Sequence, residues 1–230
     1  MKIALVVAGG AGIRTGQSVP KQFLTVNDKP IIIYTLENID EFKNIDAVVA
    51  VIPSGWENFL NAYVKQFGIK KLEKIIFGGN SRFDSVYRGL NYISEKYSND
   101  DIVLIVDANR PLIPHDVFIR ALKSIDSRCD FSVACESCYD SMYHSCNTEY
   151  IDDVLKREHI FKGQSPECGR VGEIISLYND AKKKGIEDKS MGELCIALNK
   201  KIKIVEGSAM SFKITTKDDL KIFRALLSSF

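Results

Sequence analysis

The chain has 230 residues, enough for one α/β domain with a substantial core, and its 45% apolar and 27% charged residues are ordinary for a globular protein. Thirty-one Lys and Arg against 30 Asp and Glu give a net charge of +1, which excludes a broad basic field for nucleic acid and an anionic surface for basic partners. The opening apolar run IALVV is too short for the core of a signal peptide, and no stretch approaches a membrane span; a cytoplasmic protein with no nucleic-acid or membrane partner is expected.

In chain order, IALVV (3–7) reads as a buried strand and runs into a glycine-rich segment, AGGAGIRTGQSVPKQF (8–23). PIIIYTLENIDEF predicts a helix, AVVAVI (47–52) a strand, WENFLNAYVKQFG a helix and KIIF (74–77) a strand. Val86, Leu90, Ile93 and Tyr97 mark a helix by their spacing. IVLIV (102–106) is a further strand, followed by a helix carrying Val117, Phe118, Ala121, Leu122 and Ile125. Apolar strands without polar alternation, separated by helices, predict an α/β fold: a Rossmann-like, mostly parallel sheet with helices on both faces.

The stretch from about 136 to 165 breaks this rhythm, being polar and rich in tyrosine and cysteine, and reads as a protruding arm, a lid or a dimer contact. Helices follow at about 171–184 and 191–200, then a strand KIVEG (203–207) and a terminal helix opened by Thr216 with Asp219 in capping-box spacing. A single domain over 1–230 with an arm at about 136–165 is expected. Of the six cysteines, Cys135 and Cys138 form a CxxC with Cys129, Cys146 and His144 nearby. A structural zinc site wants a second short-spaced pair and a redox CxxC favours a helix start, and neither is present. Reduced, scattered thiols are expected.

Three segments carry chemistry. A glycine-rich turn after a strand lets backbone N–H groups approach a phosphate, and Ala8, Gly9, Gly10, Ala11 and Gly12 form such a turn. No GK[ST] follows, and Thr15 interrupts the dinucleotide pattern. Two cations, Arg14 and Lys21, suit a site that handles a triphosphate during bond breaking. In GGNSRFDSVYRGL (78–90), Ser81 or Asp84 starts a helix; the junction is either an ordinary cap or a wall where backbone amides and the Ser85 hydroxyl read a pyrimidine edge. In VDANRP (106–111), Asp107 leaves the C-terminal end of a strand, where open α/β sheets bind ligands and a carboxylate commonly holds Mg²⁺. Arg110 beside it suits a second anion or forms a structural ion pair with Asp107.

Taken with FKITTKDDL near the C-terminus, these segments resemble one family across nearly the whole chain. It is the family of cytidylyltransferases of sugar-alcohol phosphates, which includes the methylerythritol 4-phosphate enzyme of isoprenoid synthesis and the ribitol 5-phosphate enzyme of teichoic-acid and capsule synthesis. The resemblance implies transfer of CMP from CTP to a phosphorylated acceptor, with Mg²⁺ or another divalent cation and a homodimer formed through the arm. It assigns Arg14, Lys21 and Lys213 to the phosphates in catalysis. Residues 8–12 with Gly78, Asn80, Ser85, Asp107 and Ala108 fall to the nucleotide, and Asp107 also to the metal. Arg110, Asp140, Ser141 and Arg157 fall to the acceptor. The reacting acceptor phosphate is already a nucleophile, so positioning and charge neutralisation suffice without a catalytic His or Cys.

The chain departs from the family pattern at Thr15, at Asn109, in QSPECGR where QTPQ-x-F is usual, and at Lys189–Ser190 where a T-D pair is usual. AGG in the first loop and FKGQSP resemble the ribitol-phosphate branch, with the methylerythritol 4-phosphate enzyme or a relative acting on another phosphate or phosphonate precursor as the alternative. Two rivals belong to other classes. A dinucleotide-binding protein would need an acidic residue after the second strand, where Pro53, Ser54 and Gly55 stand. A non-catalytic nucleotide-binding protein would not need Arg14, Lys21, Asp107, Arg157 and Lys213 together.

Overall fold

The structure, a computed structural model, describes residues 1–9, 19–187 and 189–229. In chain order the elements are β1 (Lys2–Val7), β2 (Thr25–Val26), β3 (Lys29–Pro30), α1 (Ile31–Glu41), β4 (Ala47–Ile52), α2 (Glu57–Gln66), β5 (Leu72–Phe77), α3 (Arg82–Lys96) and β6 (Ile102–Asp107). After these come α4 (His115–Ser124), β7 (Phe131–Ser137), β8 (Met142–His144), β9 (Asp153–Leu155), β10 (Phe161–Arg170), α5 (Val171–Lys183), α6 (Met191–Ala197), β11 (Lys203–Glu206) and α7 (Lys217–Leu227).

Seven strands form one sheet in the order β11-β7-β10-β6-β1-β4-β5. β10 runs antiparallel to both its neighbours, and the other pairings are parallel. Alternate residues of the central strands enter opposite cores, which is why these strands are apolar throughout. Ala4, Val6, Val48, Ala50, Leu104 and Val106 pack under α1, α2 and α4. Ile3, Leu5, Val49, Val51, Val103 and Ile105 pack under α3, α5 and α6. A smaller cluster of Val26, Ile31, Ile214 and Phe223 seats α7, whose Thr216–Asp219 capping box is formed.

The mostly parallel sheet with helices on both faces is as expected, but the arm is smaller than 136–165. β7 reaches Ser137 and β10 begins at Phe161, leaving the two-stranded hairpin β8–β9 as the protrusion. β10 reads poorly as a strand because Gly163 and Pro166 interrupt it; the sheet accommodates them by a register shift against β7 between Gly163 and Glu167. β5 starts two residues ahead of the expected KIIF, and α6 ends at Ala197. No helix among the described residues is long and apolar enough to cross a membrane.

The order in which strands are added reverses between β1 and β6, which stay parallel: from β1 the connections step outward to β4 and β5, then return to β6 on the other side. Such a switch point opens a crevice at the C-terminal strand ends. Gly9, Gly78 and Asp107 leave the strands β1, β5 and β6 at that end.

Candidate active site

Two backbone turns meet first. An added Cβ at Gly9 would lie 2.1 Å from Ser85 Oγ, and one at Gly78 would lie 2.9 Å from the same oxygen and 3.2 Å from Gly9 Cα. The exit of β1 and the turn after β5 therefore touch through backbone. Ser85 is fully buried; its hydroxyl donates to Ser81 O (2.9 Å) and accepts the Gly79 N–H (3.1 Å). It braces the turn from below, while Asn80 on the same turn is exposed. Ser81 caps α3 by accepting the Asp84 N–H.

The PKQF segment is anchored by its last two residues. Phe23 is buried and stacks on Trp56 with ring centroids 4.5 Å apart, and the buried Gln22 side chain donates to Ala8 O at the end of β1. Lys21, half-buried in the same short turn, is thereby held near the β1 exit.

Asp107 ends β6 and is 8% exposed. Its Oδ2 meets Lys213 Nζ at 3.1 Å and Arg110 Nε at 3.3 Å, while Oδ1 meets Arg82 at 3.5 Å. The Arg82 guanidinium turns more closely to Glu167, with Nη2 2.9 Å from Oε2. Three cations thus surround two carboxylates and leave one excess positive charge. Burial works to raise the Asp107 pKa, but Lys213, Arg82 and Arg110 together outweigh it and hold the carboxyl well below the usual carboxylate range. Burial likewise works against the Arg82 charge, and Glu167 with Asp107 outweighs it, so Arg82 stays firmly protonated.

The surrounding backbone is pinned as well. Asp107 N–H donates to Ser165 Oγ on β10 (3.1 Å), and Ala108 O accepts from Thr35 (2.8 Å). Asn109 exchanges two bonds with Ile214, and Arg110 donates to Ser211 O. The pair with Ile214 places FKITT against VDANRP and accounts for Asn109, a departure from the family pattern. Of the two readings of Arg110 the structure contains the ion pair with Asp107, within a cluster that is positive in sum.

Of the expected site residues, Ala8, Gly9, Lys21, Gly78, Asn80, Ser85, Asp107, Ala108, Arg110 and Lys213 gather around the strand ends. Gly10, Ala11, Gly12 and Arg14 lie outside the described residues. Asp140, Ser141 and Arg157 are exposed at the base of the arm, where Arg157 donates to Tyr139 O (2.6 Å). Sequence reading missed Arg82, Ser165 and Glu167 as site residues, although the first lies inside a quoted motif.

All six cysteines are free thiols. Cys135 and Cys138 are buried; burial pushes the Cys135 thiol up and that of Cys195 to about 12, so Cys135 and Cys195 serve as packing residues. His144, Cys146 and Asp152 come within 4.8 Å of one another at the exposed arm tip, a grouping that does not include the CxxC.

The sequence matches, over residues 2–229, the family described as IspD: 2-C-methyl-D-erythritol 4-phosphate cytidylyltransferase. The chain belongs to this family. It is 33% identical over 228 residues to a ribitol-5-phosphate cytidylyltransferase of Streptococcus agalactiae serotype III, covering 98% of this chain and 95% of the relative. It is 31% identical over 229 residues to a 2-C-methyl-D-erythritol 4-phosphate cytidylyltransferase of Clostridium botulinum, covering 97% and 96%. The solved 2-C-methyl-D-erythritol 4-phosphate cytidylyltransferase (IspD) of Francisella tularensis superposes with a TM-score of 0.79 at 26% identity, covering 97% of this chain and 98% of that one. This IspD-family chain is accordingly a nucleotidyltransferase of the cytidylyltransferase kind.

Proposed function

We propose that the protein transfers CMP from CTP to ribitol 5-phosphate or a close phosphorylated alditol, releasing pyrophosphate. One observation carries the reading: a buried carboxylate, Asp107, stands at the strand-end crevice with Lys213 and Arg110 on one oxygen and an excess of positive charge around it. Such a cluster suits two anionic substrates that must be brought together. The named acceptor of the Streptococcus relative and the FKGQSP segment favour the ribitol phosphate.

In this reading Ala8, Gly9 and Gly78 present backbone to the nucleotide, Gly10, Ala11 and Gly12 belong to the same nucleotide segment of the sequence, and Ser85 keeps the second turn in shape behind Gly78. Arg14 and Lys21 neutralise the triphosphate, and Lys213 turns from Asp107 to the incoming phosphate. That phosphate attacks the α-phosphorus in line, and pyrophosphate leaves. No side chain needs to accept a proton, which agrees with the absence of His and Cys from the cluster. Arg110 adds charge on the acceptor side, and Asp140, Ser141 and Arg157 at the arm base receive the alditol, Arg157 from the partner subunit of a homodimer.

Asp107 fits a hard divalent cation: it offers carboxylate oxygens, and Oδ1 is met among the described residues only at 3.5 Å. Mg²⁺ is commonly held by one or two carboxylates together with substrate phosphates, and when bound it would stabilise charge on the phosphate oxygens.

Pyrophosphate release with CTP and a panel containing ribitol 5-phosphate and 2-C-methyl-D-erythritol 4-phosphate tests the proposal. Turnover should be greatest with ribitol 5-phosphate. A preference for the methylerythritol compound, the acceptor named for the Clostridium relative, would move the assignment to that branch. No turnover with any acceptor, and no CTP binding by calorimetry, would reject it.

A further inference from the structure

Glu167 is a buried carboxylate, 4% exposed, that none of the roles above employs. It sits on the antiparallel strand β10, opposite Ile105 of β6, two residues before Asp107. Its two oxygens reach different elements: Oε2 accepts from Arg82 Nη2 at 2.9 Å, and Oε1 accepts the Gly192 N–H, in the first turn of α6, at 3.2 Å. Arg82 opens α3 directly after the turn that carries Gly78 and Asn80. One side chain therefore joins the turn expected at the nucleotide, the strand end bearing Asp107, and the helix start that follows Lys189–Ser190.

The distances show how Arg82 divides its charge. It lies 2.9 Å from Glu167 but 3.5 Å from Asp107, so Glu167 takes the larger share. Among the described residues Arg82 Nη1 is buried without a hydrogen-bond partner, and Glu167 and Asp107 are the carboxylates within ion-pair distance of the guanidinium. If position 167 were neutral, the guanidinium would keep its charge and would have Asp107 as its remaining carboxylate within ion-pair distance among the described residues. It would close on Oδ1, the oxygen now least engaged. A buried ion pair contributes little net stability by itself, and what it does supply is placement.

We propose that Glu167 is a positioning residue for cytidylyl transfer: by holding Arg82 and the first turn of α6, it keeps the guanidinium at 3.5 Å from Asp107 Oδ1 instead of letting it close on that oxygen. The inference rests on the reading of Asp107 as the carboxylate of the nucleotide and metal site. It makes Glu167 a determinant of how readily a divalent cation reaches Asp107, without contact to substrate.

The test is Glu167→Gln, which preserves shape and an acceptor for Gly192 N–H but removes the charge that Arg82 meets at position 167. Mn²⁺ replaces Mg²⁺ as the probe, since both take oxygen ligands in octahedral geometry, and its free concentration is followed by electron paramagnetic resonance with a non-hydrolysable CTP analogue present. Mn²⁺ affinity should fall about tenfold, equivalent to about 1.4 kcal/mol. The Mg²⁺ concentration for half-maximal pyrophosphate release should rise in parallel, and excess Mg²⁺ should restore kcat, which a packing defect would not allow. Adding Arg82→Gln to Glu167→Gln should return Mn²⁺ affinity toward the wild-type value, because the competing guanidinium is gone. Wild-type affinity in Glu167→Gln, or a double variant no better than Glu167→Gln, overturns the inference. If Glu167→Gln does not fold, Arg82→Gln and the double variant carry the test, and Mn²⁺ binding weaker than wild type in both overturns it. A wild-type protein that neither binds the Mn²⁺–nucleotide probe nor turns over CTP overturns the functional reading and this inference together. Normal wild-type binding with no effect in the variant overturns this inference alone.

Discussion

Gly9→Ala is the sharpest probe of how the two turns are joined. The new methyl would lie 2.1 Å from Ser85 Oγ and 2.7 Å from Ser85 Cβ, against 3.4 Å or more for ordinary contact. Ser85 is fully buried, so it can retreat only by giving up its bonds to Ser81 O and Gly79 N–H. Overpacking of this kind costs about 1–3 kcal/mol. The two hydrogen bonds add about 1 kcal/mol each, for a total of about 3–5 kcal/mol. Relief should follow the clash: Ser85→Ala removes only the 2.1 Å contact and Ser85→Gly removes both. The cost of Gly9→Ala should therefore shrink stepwise in those two backgrounds, even though each Ser85 variant is itself destabilised by about 1–3 kcal/mol through the stranded Gly79 N–H. Urea unfolding of the full cycle measures the coupling, and the thermal shift with CTP reports whether the nucleotide turn survives. A cost for Gly9→Ala that is the same in all three backgrounds would refute the packing argument.

Other expectations concern charge and assembly. Lys21→Ala should lower turnover by about 10²–10³-fold with an unchanged urea midpoint, and a near-normal rate would remove Lys21 from the mechanism. Lys213→Met should cost on the order of 1 kcal/mol of stability at pH 7, because the lysine is 37% exposed and two arginines remain on Asp107. The depressed Asp107 pKa contributes stability that is complete above the ordinary Asp value of about 4 and is lost as pH falls toward the folded-state value. The gap between wild type and Lys213→Met should therefore be constant down to about pH 4 and narrow below it, and a gap that widens in acid would refute this. Tyr143 and Val154 face each other across β8–β9 and are both more than half exposed; replacing both by Glu should convert the proposed dimer to monomer in sedimentation and raise the acceptor KM. A monomeric wild type with full acceptor turnover would refute the placement of Arg157 across subunits.

The first half of the fold was legible because its central strands β1, β4 and β6 are buried on both sides and so read as unbroken apolar runs, as AVVAVI does. Asp107 was legible for the same reason, as the first charge after IVLIV. β10 was not, since FKGQSPECGR is seated by neighbours on both edges and by a register shift, and carries no hydrophobic signature of its own. Glu167 was hidden with it: its partners stand 85 and 25 positions away and meet it only through the pairing of β10 with β6. Arg82 was visible as a letter in a motif, but its division between two carboxylates depends on that same pairing. Asn109 is the converse case, a departure from the pattern that a bond to Ile214 explains once the chain is folded.

β10 leaves the arm at Phe161, 41% exposed, and four and six residues later supplies the oxygens that meet Asp107 N–H and Arg82. Arm and site floor are thus successive parts of one strand and cannot be exchanged separately. A chimera that grafts another relative's arm to change acceptor preference would have to carry the graft through residue 167, or leave a foreign hairpin pulling on a native floor.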